Sequence, residues 1–222
     1  MGTEATKTRQ LWNDAMLALF KGKGIDIGCG VDPVFPGVEC FDQPQGDANR
    51  ITDHVQGLYD FVFSSHCLEH MRDPRAALSE WYKLVRPGGH MVVLVPDEDL
   101  YEQGCFPSIF NGDHKFTFTL AKASSWSPRS INVYELARAT GGEVVSLALQ
   151  DHGYDRRLQR HAPGEWSQFL GRLFRKACRV IRASHGQNLL ARVFSAAGAV
   201  IDQTLMDGTR LAQIQIVIRR PI

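Results

Sequence analysis

The chain has 222 residues, 44% hydrophobic and 22% charged, with 25 Lys and Arg against 24 Asp and Glu for a formal net charge of +1. This apolar content suffices for a packed core and excludes a disordered polyelectrolyte, so 1–222 reads as a single domain. The near-zero charge and the lack of a nucleic-acid motif give no reason to expect nucleic acid. No apolar run is long enough to span a bilayer, no basic n-region with an apolar h-region opens the sequence, and the five cysteines include no C-x-x-C pair. A reduced, cytoplasmic setting with free thiols follows.

In chain order, residues 4–20 put Leu11, Trp12, Ala15, Met16, Leu19 and Phe20 on one helical face, which predicts a helix stopped at Lys21-Gly22. Lys23 to Gly30 (KGIDIGCG) reads as a short buried strand entering a tight glycine turn. An open α/β sheet binds its ligand at the carboxyl end of such a strand, where backbone approaches a cofactor closely. A dinucleotide fingerprint needs a third glycine to pack the next helix on the strand, and Pro33 stands there instead. Asp26 would repel a pyrophosphate but could hold a cationic amine. A ligand with an ammonium group and no phosphates, such as S-adenosylmethionine, fits better than NAD(P); an NAD(P) oxidoreductase is the alternative.

Val38 to Asp42 reads as a second strand ending in an acid suited to ribose hydroxyls, and Leu58 to His66 as a third buried strand. A helix over Asp73–Leu84 follows from the spacing of Ala77, Leu78, Trp81 and Leu84 and is stopped by Arg86-Pro87-Gly88-Gly89; His90 to Asp97 is the next strand. Residues 98–128 read as an irregular loop whose Tyr101, Phe106, Phe110, Phe116, Phe118 and Trp126 argue against disorder. With S-adenosylmethionine as the ligand, it would follow the strand that faces the methyl group, which makes it the acceptor-side candidate. Ser130 to Thr140 reads as a helix, Glu143 to Leu149 as a strand, and Leu211 to Ile218 as a half-buried strand alternating through Ile214, Ile216 and Ile218.

The elements Asp26-Ile27-Gly28-Cys29-Gly30, Asp42, the run Asp60 to His70 and Leu84-Val85-Arg86-Pro87-Gly88-Gly89 span residues 23 to 97 in an order that resembles class I S-adenosylmethionine-dependent methyltransferases of the type 11 family. The resemblance implies an α/β fold with a Rossmann-like, seven-stranded, mostly parallel sheet whose last strand is antiparallel. It implies a cofactor-binding half over 21–97, with Gly28 and Gly30 at the methionine end, Asp42 on the ribose and Asp47-Ala48 by the adenine. Cys29, Gln43, Ser64 and Ser65 complete the candidate cofactor-binding set with Asp26. The stretches from Gly30 to Asp42 and from Asp42 to Asp60 are too short for full helical crossovers, so these are expected as loops or single turns.

A helical insertion over 155–205 separates the last two strands. Residues 156–192 carry nine basic side chains against one acid, Glu165, a local charge of +8 that leaves −7 for the rest. Arg172, Arg175, Lys176, Arg179 and Arg182 recur at helical spacing, and Phe169, Leu170, Leu173, Phe174, Ala177, Val180 and Ile181 form the opposite face. Such a helix can dock on the domain with its cations in solvent, or lie through residues 166–182 on an anionic membrane surface. A non-catalytic module docking through this helix is a further alternative.

For catalysis, His66 at the carboxyl end of the third strand is the first candidate as base or acceptor-positioning group, and His114 in the aromatic loop is the second; Asp97, Asp99 and Tyr101 are further acceptor-side candidates. His66-Cys67-Leu68-Glu69-His70 also matches H-x-x-E-H, a zinc-peptidase pattern, but it follows a strand directly rather than sitting in its own helix. In the metal-assisted branch of the resembling methyltransferases, His66, Glu69 and His70 could ligate a divalent ion; the favoured reading has no metal. The expected reaction is methyl transfer to an oxygen or nitrogen of a small or carbohydrate-like acceptor.

Overall fold

A computed structural model describes residues 4–181, 184–206 and 208–222. Its centre is a six-stranded sheet of order β2-β1-β3-β4-β8-β7, built from β1 (Gly24–Ile27), β2 (Glu39–Phe41), β3 (Tyr59–Ser65), β4 (Val85–Pro96), β7 (Glu143–Gln150) and β8 (Gln213–Arg219). Strands β1 to β4 are mutually parallel, and β8 runs antiparallel to both of its neighbours, β4 and β7. The expected seven strands are thus corrected to six. Between β2 and β3 the short chain makes only a 3₁₀ stretch, Ala48–Asp53, with no residues left for another strand and crossover. Both early crossovers lack an α-helix, as their lengths require.

Alternation along the central strands feeds two cores. Val62, Met91, Val93, Val95, Ile214, Ile216 and Ile218 face α3 (Pro74–Lys83) and α4 (Val133–Arg138), whereas Phe61, Phe63, Val92, Leu94 and Val217 face Trp12, Phe20 and Phe35. Helices thereby cover both faces, which corrects the half-buried reading of the last strand: β8 is buried from Gln213 through Ile218 because it is inserted between β4 and β7. Helix α3 forms where the spacing predicts. The Asp73 carboxylate accepts from the Arg75 and Ala76 amides, Pro74 occupies the first turn, and Ala77, Leu78 and Trp81 are buried.

Three predicted elements change. The helix expected over 4–20 is split into α1 (Glu4–Arg9) and α2 (Asp14–Leu17), because the Asn13 side chain caps a new helix by accepting from the Met16 amide. The helix expected from Ser130 begins only at Val133; Asn132 caps it, and Ser130–Asn132 (β6) pairs in parallel with Thr117–Thr119 (β5). That pairing gives the 98–128 segment a frame. The fully buried Glu98 carboxylate accepts from the hydroxyls of Thr117, Ser125 and Ser130 and from the Lys122 ammonium, pinning the loop at four points.

The insertion packs α5 (Glu165–Val180) against α6 (Ser184–Ala196) around Phe174, Cys178, Ala191, Ile201 and Met206. Its apolar face differs from the sequence reading. Gly171, Phe174 and Cys178 point inward, while Trp166, Phe169, Leu173 and Val180 are exposed. Arg182 lies outside the described residues. No helix among the described residues is long and apolar enough to cross a membrane.

Candidate active site

Strand β1 ends in a turn that only glycine accommodates comfortably: Gly28 has φ +79° and Gly30 φ +53°. A Cβ on Gly28 would lie 2.7 Å from the Cys67 Sγ, whereas one on Gly30 would meet nothing within 4 Å. The turn is fastened to β2, since the Gly28 amide donates to the Phe41 carbonyl at 2.7 Å and the Gly30 amide to Asp42 Oδ2 at 2.9 Å. Helix α1 lies across the same loop through Thr6, whose amide and hydroxyl both donate to Asp32, and through the Arg9 guanidinium on the Val34 carbonyl.

A cavity of about 430 Å³ opens at the carboxyl ends of β1, β2 and β3. One wall carries Gly28, Asp42, Gln43, Asp47 and Ala48, and the other His66, Cys67, His70, Asp113 and Lys115. Asp42 Oδ1 and Oδ2 already accept from the Gln43 and Gly30 amides, which fixes the carboxylate while each oxygen keeps a second lone pair. Asp47 caps the 3₁₀ stretch by accepting from the Asn49 amide and pairs with Arg72; the Asn49 side-chain and backbone bonds, with Arg72 behind them, hold its carboxyl below the usual range. Trp81 supports this wall from beneath, donating from Nε1 to the Ala48 carbonyl at 2.8 Å. A separate hollow of about 320 Å³ lies at the amino end of β1, away from the turn and its chemistry.

Five of the sequence-derived cofactor residues, Asp26, Cys29, Gly30, Ser64 and Ser65, and one catalytic candidate, His114, are not among the residues that line the cavity. Asp26 is 1% exposed and its Oδ2 accepts from the Val34 amide at 2.7 Å, so it braces the loop from below. Burial pushes its carboxyl up to about 7, against the lowering effect of the Val34 bond. Ser64 donates to the Ile27 carbonyl at 2.8 Å and is fully buried, and the Ser65 hydroxyl is enclosed with no partner. The half-buried Cys29 thiol stands beside Cys40; burial, then that contact, push it up to about 12. His114, the second catalytic candidate, is buried, 5% exposed, with Nδ1 2.6 Å from Glu102 Oε1. Asp97 likewise serves as a cap, accepting from the Asp99 and Leu100 amides, and Asp99 pairs with Lys122 and Trp126.

His66 holds φ +51° at the end of β3. Its Nε2 is 2.8 Å from Gln213 Oε1, and its Nδ1 is 3.4 Å from Glu69 Oε1. Gln213 Nε2 is engaged by Thr8 and Gln150, so its oxygen faces the imidazole and His66 Nε2 donates. Burial alone would lower the His66 pKa; the Glu69 hydrogen bond and charge, then Glu4 and Gln213, more than offset this and hold it at about 9. Neither ring nitrogen directs a free lone pair into the cavity.

Several site residues escape a linear reading. Gln213 comes from β8 and Glu102 from the turn after β4, and neither belongs to a local pattern. Asp113 and Lys115 carry a weak signal as the neighbours of His114 in a polar stretch of the aromatic loop. Cys67 and His70 belong to the quoted run 60–70, but which way they face depends on the turn at His66.

A family model described as a methyltransferase domain (Methyltransf_23) matches residues 13–170, more than half of the chain. No curated protein sequence matches significantly. Among solved structures, a candidate methyltransferase from Bacillus halodurans C-125 superposes with a TM-score of 0.54 at 14% identity, covering 99% of this chain and 99% of that one. A candidate sarcosine dimethylglycine methyltransferase from Galdieria sulphuraria gives 0.50 at 14% identity, covering 97% of this chain and 83% of that one. At these identities the superpositions show a shared fold; the family match carries the activity and displaces the NAD(P) and non-catalytic alternatives. S-adenosylmethionine, the methyl donor of the class, is the cofactor. The chain therefore belongs to the methyltransferase domain family, as a class I S-adenosylmethionine-dependent methyltransferase.

Proposed function

We propose that the enzyme methylates an oxygen or nitrogen of a small or carbohydrate-like acceptor in the cytoplasm, with the donor lying in the cavity at the ends of β1 to β3. The observation that carries this reading is the two-sided lining of that cavity, with Gly28, Asp42, Asp47 and Ala48 opposite His66, His70, Asp113 and Lys115. The donor's amino-acid end lies at the Gly28–Gly30 turn, its ribose at Asp42 and its adenine beside Asp47-Ala48; Gln43 borders the ribose. Asp26, Cys29, Ser64 and Ser65 act from behind, holding the turn and the end of β3 in shape.

Transfer is an in-line displacement: the acceptor–methyl bond forms as the sulfur–methyl bond breaks, leaving a neutral thioether. The donor is already activated, so alignment and exclusion of water supply most of the protein's contribution, several kcal/mol and roughly 7–11 in favourable cases. With Nε2 committed to Gln213 and Nδ1 turned to Glu69, His66 acts as an acceptor-positioning residue rather than a base. His114 supports His70 from behind.

Calorimetry with S-adenosylhomocysteine on wild type and Gly28→Val, followed by a screen of phenols, sugar nucleotides and lipid-linked sugars, tests the reading. Binding by wild type that the variant loses supports this donor pose, and unaltered binding by the variant refutes it. His66→Ala should retain binding and turn over more slowly; unchanged turnover removes His66 from the role.

A second reading rests on α5, where Trp166 is 72% and Phe169 50% exposed with their rings stacked, beside exposed Arg172 and Lys176. This face suits peripheral contact with the anionic inner membrane surface. Sedimentation with anionic liposomes, for wild type and an Arg175/Lys176/Arg179→Glu variant, tests it: no wild-type binding rejects the contact.

A further inference from the structure

We propose that an arginine-lined cavity in the helical insertion binds a phosphoryl group carried on a larger molecule. The cavity, of about 800 Å³, lies between α6, residues 155–160 and Arg210, and it shares no lining residue with the cavity at the ends of β1 to β3. Four arginines, Arg157, Arg160, Arg192 and Arg210, line it against a single acid, Asp155.

The lining does not balance this charge. Asp155 is already held by Arg157, which donates from Nε to Oδ1 at 2.9 Å and from Nη2 to Oδ2 at 2.8 Å. Arg160 and Arg192 pair with no carboxylate among the described residues. Arg160 Nη2 donates to the Ser195 carbonyl at 2.9 Å, but its Nε is enclosed with no acceptor. That carbonyl belongs to the C-terminal turn of α6, which fixes the guanidinium and offers only the fractional charge of a helix end. A guanidinium keeps its proton, so an anion entering the cavity is the natural counter-charge.

The arginines stand on a fixed frame. The Arg160 amide donates to Gln103 Oε1 at 3.0 Å and the Asp155 amide to Gln203 Oε1 at 2.8 Å, and both glutamines are buried. Gln203 Nε2 returns to the Asp155 carbonyl at 2.8 Å, and Arg210 Nη1 donates to Gln203 Oε1 at 3.2 Å, so one glutamine ties Arg210 to the turn that carries Arg157. On α6, Asn188, Arg192 and Ser195 recur at helical spacing and line the same cavity. A site held in this way loses little freedom when a ligand arrives.

The side chains select the anion. A planar guanidinium offers parallel N–H bonds that match two oxygens of a phosphate or carboxylate, and it is more weakly hydrated than an ammonium. Two forks without a carboxylate, with Arg210 beside them, favour a group of charge about −2 with three acceptor oxygens, which a phosphate monoester has and a carboxylate lacks. The volume is that of a pocket for an organic molecule, and Leu158, Ala191 and Met206 form part of the wall, so the phosphoryl group arrives on an organic body. The basic excess of the insertion thus divides in two: Arg172, Arg175, Lys176 and Arg179 lie on α5, and none of them lines this cavity.

Two probes test the site and the source of the group: phenyl phosphate, titrated into the full chain by calorimetry, and phosphatidylcholine vesicles with and without phosphatidic acid, by sedimentation. Binding of phenyl phosphate assigns a soluble ester; binding only to vesicles that contain phosphatidic acid assigns a lipid headgroup. Inorganic phosphate should compete in either case. Arg160→Gln and Arg192→Glu should each weaken the binding about 10–100-fold, as loss of a charge-assisted hydrogen bond does. Arg175/Lys176/Arg179→Glu should leave phenyl phosphate binding unchanged. Arg192 is exposed, so its variant tests the site even if Arg160→Gln fails to fold, and S-adenosylhomocysteine binding on the same samples reports the fold. No binding of either probe by wild type, undiminished binding by folded Arg192→Glu, or an equal loss of phenyl phosphate binding in the α5 variant overturns the assignment.

Discussion

Asp26→Asn should flatten the pH dependence of stability. The wild-type carboxyl is 1% exposed, and burial, with smaller contributions from the charges of Asp32 and Asp42, raises it from 3.8 to about 7 despite the Val34 amide bond. The folded state therefore holds a proton that the unfolded chain releases between pH 4 and 7. The resulting stabilisation is present in full below the unfolded pKa and is lost as pH rises through the folded value. At about 1.36 kcal/mol per unit, the full shift corresponds to roughly 4 kcal/mol, of which about 2–3 kcal/mol disappears between pH 5 and pH 8. Asparagine retains a carbonyl oxygen for the Val34 amide and cannot ionise. Urea unfolding of both proteins without cofactor at pH 5, 6, 7 and 8 should show wild type losing about 2–3 kcal/mol more than the variant over that range. Taking the difference between the two proteins cancels every other titrating group, Asp97 included. Parallel profiles would refute the argument.

Gly28→Ala should lower homocysteine-form cofactor affinity at least tenfold and stability by about 1–2 kcal/mol, because φ +79° disfavours alanine and its Cβ would press on Cys67 at 2.7 Å; calorimetry and urea melts read the two effects. Trp81→Phe removes the bond to the Ala48 carbonyl in a fully buried setting and should cost about 1–3 kcal/mol, with a several-fold weaker cofactor because the Asp47–Ala48 wall loses its support. Glu98→Ala should cost roughly 3 kcal/mol by urea unfolding, since it leaves three hydroxyls and the Lys122 ammonium without their shared acceptor, and should open residues 115–130 to limited proteolysis while leaving β1–β3 protected.

The cofactor half was largely legible in one dimension. A strand running into Gly28 and Gly30, an acid ending the next strand and the spacing of Ala77, Leu78 and Trp81 are signals carried within a few residues, so their meaning survives without knowledge of the rest of the fold. Caps that redefine an element, such as Asn13 and Asn132, are equally local but compete with periodicity, and there the periodic reading ran too far.

The sequence by itself determined the order of the main parallel strands, the helix α3 and the glycine turn after β1. Only the tertiary structure decided which side chains face the cavity. It turned Asp26 inward, buried His114 against Glu102, set Gln213 of β8 on His66 and gathered Glu69, His70 and His114 around one oxygen. The physical reason is that such contacts depend on which distant segment occupies the neighbouring place in the sheet. Strand β8 is inserted beside β4 after a long helical excursion, and no local pattern encodes where that insertion brings its side chains.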